Sequence, residues 1–115
     1  MNKRFLFVGV MMLFGPMFFF HGNPTKAQAD LADQIAKADV EYGEYLSGEC
    51  ITCHQSTGAS VGIPSINGID AEIFVSIINA YRSKELENKV MQMMAGRLDD
   101  EQIISLAAYF SSLPD

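Results

Sequence analysis

The sequence predicts an all-α fold of three to five helices, and three observations predict it. No stretch alternates apolar and polar residues with period two for long enough to make a strand. Apolar residues instead recur at helical spacing in separate segments, at 31–47, 70–81 and 99–113. Between the first two lies QSTGASVGIPSINGI, residues 55–69, where Gly58, Gly62, Pro64 and Asn67-Gly68 mark one long loop with a turn at Asn67-Gly68.

The chain opens differently from the rest. Lys3 and Arg4 precede an uncharged run from Phe5 to Phe20, and Ala27-Gln28-Ala29 supplies a small-x-small site before Asp30. That is the layout of a secretory signal peptide over residues 1–29, removed on export to the periplasm. The rival reading is an uncleaved membrane anchor. The apolar run falls short of the roughly 20 residues that span a bilayer, and Gly9, Gly15 and Pro16 interrupt it. No membrane span is expected after cleavage.

What remains, residues 30–115, is one domain. It keeps all 14 acidic residues and only Lys37, Arg82, Lys84, Lys89 and Arg97 as basic ones, a net charge of −9. Nucleic acid is excluded as a partner, because phosphate binding requires clustered Lys and Arg. A basic protein partner fits such a surface, and so does plain solubility. A core this small is marginal, and exported domains of this size carry disulfides or a cofactor as a staple.

The helices follow in order. Leu31, Ile35, Ala38, Tyr42, Tyr45 and Leu46 recur near helical spacing to about Ser47. Gly43 interrupts them and Asp39 is a candidate N-cap, so two shorter helices are expected there. Asp70 caps the next, in which Ile73, Phe74, Ile77, Ile78 and Tyr81 form one apolar stripe. A short helix is expected over Leu86 to Ala95. The last begins at Asp99, with Gln102 completing a capping box, and buries Ile103, Leu106, Ala107, Phe110 and Leu113 before Pro114.

GECITCHQSTG, residues 48–58, holds both cysteines of the chain, as C-x-x-C-H at Cys50, Cys53 and His54. A disulfide between them would close a tiny loop and contribute little. A structural zinc site needs four ligands, and no second thiol or imidazole pair exists. A thioredoxin-like redox site belongs to an α/β domain. Covalent haem c uses every residue of the run: the two thiols form thioethers, and the adjacent His54 is an axial iron ligand.

Once the signal is removed, His54 is the sole histidine and Met91, Met93 and Met94 are the sole methionines. A methionine thioether is the usual partner of histidine in low-spin electron-transfer cytochromes. All three methionines are candidates, with Lys84, Lys89 or an open site as alternatives. Arg82 and Lys84 are read as solvated helix-end charges before haem-propionate partners.

GEYLSGECITCH, then GIPSINGI, then VMQMMAGRLDDEQIISLAAYFSSL resembles the bacterial class I c-type cytochromes. The likeness runs from about Val40 to Leu113 and implies a small all-α fold around one covalently bound haem. The stretch PSINGIDAEIFVSIINAYRSKELENKVMQMMAGRLDDEQ is most similar to the monohaem subunit of flavocytochrome c sulfide dehydrogenases. That resemblance implies Met91 as the second iron ligand, eight residues before the Asp99 cap, with Met93 or Met94 as alternatives. It also implies that the Pro64 carbonyl accepts from the ring N–H of His54. The function so implied is single-electron transfer, as the haem subunit of a sulfide-oxidising FAD flavoprotein. The alternatives are a free carrier serving other redox proteins, an oxidase or a reductase, and a haem sensor or enzyme with an open axial site. The sequence offers no general base, nucleophile or second metal, so no catalysis of its own is assigned.

Overall fold

The computed structural model describes residues 22–55 and 62–114. These form five helices and, among the described residues, no strand: α1 Lys26–Ala36, α2 Val40–Ile51, α3 Ala71–Arg82, α4 Lys89–Ala95 and α5 Asp100–Ser112. The apolar run 5–20 lies outside the described residues. No described helix is long and apolar enough to cross a membrane.

α1 starts five residues before the expected Leu31. Thr25 and Gln28 form a capping box that satisfies the first free amides, and the helix nucleates there. Its Leu31 and Ile35 rest against the core. The break between α1 and α2 falls at Lys37–Asp39, where the Asp39 carboxylate accepts from Tyr42 N at 2.9 Å. Gly43 is not a break. It lies inside α2, buried where that helix crosses α5. A Cβ at Gly43 would sit 2.6 Å from the Ser105 carbonyl carbon and 2.9 Å from Tyr109 Cβ. Only a residue without a Cβ lets the two backbones approach so closely.

α3 is capped by Asp70, whose side chain accepts from Ile73 N at 3.0 Å. Its apolar stripe is divided. Phe74, Val75 and Ile78 are buried, whereas Ile73 and Ile77 remain 54% and 36% exposed. The buried side faces α5, with Phe74 stacked on Phe110 at 5.7 Å. At the end of α3, Arg82 donates to Asp100 Oδ1 at 2.6 Å and to the Leu98 carbonyl at 3.3 Å. It is therefore tied to the α4–α5 link rather than left in solvent.

Residues 83–88 turn the chain, with the amides of Glu85 and Leu86 both on the Ala80 carbonyl. α4 begins at Lys89, later than the expected Leu86, because Asn88 is the cap and accepts from Met91 N at 3.1 Å. α5 carries the predicted capping box at Asp99 and Gln102. It is the spine of the molecule: Ile103, Leu106, Ala107 and Phe110 are almost fully buried, and with Phe74, Val75, Ile78 and Ala95 they form the core. The loop turn at Asn67-Gly68 is pinned to it, Gly68 N donating to the Phe110 carbonyl at 2.9 Å. Gly68 has φ +68°, which favours glycine.

Candidate haem site

The last turn of α2 carries the C-x-x-C-H run. The Cys50 carbonyl accepts from Cys53 N at 3.2 Å and from His54 N at 2.9 Å, so the helical course continues to the histidine. Cys50 and His54 thereby lie one turn apart on one face. Cys50 is half-buried against the core and Cys53 is exposed. Burial pushes the Cys50 thiol above its ordinary range, and the neighbouring Glu49 carboxylate adds to the rise. Among the described residues, no three His, Cys, Asp or Glu side chains converge to hold a metal ion, as a closed zinc site would require.

His54 is fixed from the loop side. Its Nδ1 lies 2.7 Å from the Pro64 carbonyl oxygen. A carbonyl can only accept, so Nδ1 carries a proton, and in the neutral ring the lone pair is then on Nε2. That is the tautomer a metal-binding histidine needs, oriented by a backbone partner. Two thiols on one helical turn and an imidazole so oriented fit covalently attached haem.

The three methionines occupy different surroundings on α4. Met91 is half-buried and packs against the core, with its amide held by the Asn88 side chain. Met93 is 59% exposed. Met94 is half-buried, and its Sδ lies 3.9 Å from Arg97 Nη1. The other guanidinium nitrogen of Arg97 reaches Glu49 on α2, at 3.2 and 3.3 Å from its two carboxylate oxygens. Sequence reasoning passes over this contact, since nothing in the local pattern pairs residues 48 apart. An open groove of about 610 Å³ between α1 and α3, lined by Leu31, Val75, Asn79 and Arg82, contains none of these groups.

Comparison with known proteins agrees with this geometry. A model of the cytochrome c family matches residues 40–114. Cytochrome c-554(548) of Halomonas halodenitrificans is 35% identical over 79 residues, which cover 64% of this chain and 95% of that protein. A thiosulfate dehydrogenase electron acceptor of Stutzerimonas stutzeri is 34% identical over 68 residues, 56% of this chain and 32% of that protein.

Proposed function

Because the chain belongs to the cytochrome c family, whose members hold haem c covalently and transfer electrons, we propose that it is an exported one-haem carrier for a sulfide-oxidising flavoprotein. Cys50 and Cys53 hold the haem as thioethers. His54 would hold the iron through Nε2 and Met91 through its thioether. The observation that carries this reading is the 2.7 Å contact of His54 Nδ1 with the Pro64 carbonyl, which leaves Nε2 free to ligate.

When bound, haem c supplies a one-electron couple at its iron. The work of the chain is to keep that couple's surroundings constant. Pro64 holds the proton at Nδ1 and stops the ring from turning. The core behind Met91 fixes the backbone that delivers the sulfur. A thioether opposite an imidazole raises the reduction potential, which suits an acceptor of electrons. A ring and a thioether held in this way would move little as an electron passed.

Among the three methionines, contact with the core supports Met91. Met93 is 59% exposed, and the Met94 sulfur lies 3.9 Å from an Arg97 nitrogen. Export with cleavage after Ala29 accords with haem attachment outside the cytoplasm, and the purified protein should have an intact mass beginning at Asp30. Cleavage there would remove the Thr25–Gln28 capping box and leave α1 to begin within Asp30–Ala36.

The donor is a sulfide-oxidising FAD flavoprotein, on the strength of PSINGIDAEIF and the segment that follows it. The relative named as an electron acceptor for thiosulfate dehydrogenase supports a dehydrogenase as donor. Similarity over 95% of the length of cytochrome c-554(548), a protein named without a dehydrogenase, accords with a second reading, a free carrier. Purification from the native host separates them. A stoichiometric FAD protein that reduces this haem on addition of sulfide is the expected result; a monomer, with no such partner, sinks the subunit reading.

A further inference from the structure

The two halves of the haem site sit on helices that do not touch. Among the described residues α2 packs on α5, and α4 packs on α3; α2 and α4 make no packing contact of their own. One side chain bridges them. Arg97, just past the end of α4, holds Glu49 at the end of α2 with Nη2 and faces the Met94 sulfur with Nη1.

We propose that Arg97 is a positioning residue that selects the methionine ligand: it ties the end of α4 to the haem-attachment helix through Glu49 and occupies the sulfur of Met94, so that Met91 alone is offered to the iron. This rests on the ligand set proposed above. The need for selection follows from helix geometry. Met93, two residues after Met91, is turned about 200° away around the axis. Met94, three residues after, shares the Met91 face. Spacing therefore excludes Met93 and leaves Met91 and Met94 to be told apart by something else. A thioether that already accepts from a guanidinium N–H is the weaker iron donor of the two.

Stability is not what this contact supplies. The Arg97 and Glu49 side chains are 57% and 64% exposed, and ion pairs so wetted contribute little. Arg97→Gln in the exported holoprotein should therefore leave the melting temperature almost unmoved while changing ligation. Two readouts report it: the upfield-shifted methyl signals of the ligating methionine in the ferrous NMR spectrum, and the affinity of the ferric protein for imidazole. In Arg97→Gln we expect a second methionine signal set, removed again in Arg97→Gln/Met94→Leu, and imidazole affinity several-fold higher than wild type. Glu49→Gln should raise imidazole affinity in the same direction, and Arg97→Lys, which keeps the charge toward Glu49 but has no second nitrogen for the Met94 sulfur, should reverse only part of the rise and keep the second methionine signal. A single methionine signal with unchanged imidazole affinity in Arg97→Gln overturns the proposal. Failure of the underlying ligand set looks different: Met91→Leu would then keep the wild-type signal with Arg97 intact.

Discussion

Among the described glycines, Gly43 has the closest neighbours, and it makes the sharpest test of the fold. Gly43→Ala places a methyl group 2.6 Å from the Ser105 carbonyl carbon and 2.9 Å from Tyr109 Cβ, where ordinary contact begins at 3.4 Å. Neither neighbour is a flexible tip, so α2 and α5 must part by about 1 Å. A gap of that size forfeits roughly a quarter to a half of each pairwise attraction across the crossing. Overpacking of this kind costs about 1–3 kcal/mol, and a crossing against backbone belongs at the upper end. The helical preference of Ala over Gly offsets about 1 kcal/mol. The net loss is therefore about 2 kcal/mol, or roughly 8–16 °C in Tm for a domain of this size.

Gly48 supplies the control. It lies in the same helix, exposed, with no atom within 4 Å of where its Cβ would be. Gly48→Ala should gain about 0.5–1 kcal/mol from the backbone alone. Thermal unfolding of the two ferric holoproteins, followed by far-UV circular dichroism, should thus move in opposite directions. If Gly43→Ala melts at or above the temperature of Gly48→Ala, the close crossing of α2 and α5 is wrong.

Three further substitutions probe the core, a cap and the site. Phe110→Ala removes a fully buried ring stacked on Phe74 and should cost about 3–5 kcal/mol in denaturant unfolding. Asp99→Ala loses the 2.9 Å bond to Gln102 N and should cost about 1 kcal/mol, whereas Asp99→Asn should retain most of it. Met91→Ala should abolish the weak red methionine-to-ferric-iron absorption band and lower the reduction potential; a variant that keeps both the band at full strength and the wild-type potential removes Met91 from the ligand set.

The helices were legible where their signals are local. Asp70, Asp99 with Gln102, and Asp39 each cap a helix with their own side chains, and a cap is readable from a few residues. The same local reading misplaces features whose causes are distant. Gly43 reads as a helix breaker because nothing near it in sequence explains a glycine; its reason is Ser105 on another helix. Ile73 and Ile77 continue the apolar stripe of α3, but the core takes up only Phe74, Val75 and Ile78 from that helix. α4 starts late because Asn88 competes with the apolar pattern at Leu86. In the site, C-x-x-C-H is a contiguous motif, and the Pro64 contact was implied by resemblance alone. The Arg97 bridge carries no sequence signal, since it joins two solvated charges across separate helices.

That last contact also decides what a lost ligand leaves behind. With Met91 replaced by Ala, the nearest sulfur on the same face of α4 is Met94, one turn on. If position alone governed ligation, Met94 would take over and the red band would survive in weakened form. With its sulfur 3.9 Å from the Arg97 guanidinium and that guanidinium anchored on Glu49, Met94 is held back. Met91→Ala should then lose the band outright, and Met91→Ala/Arg97→Gln should recover part of it through Met94. Recovery without removing Arg97 would mean that the arginine contact is too weak to sort the sulfurs, and that the backbone path of α4 alone sets which one reaches the iron.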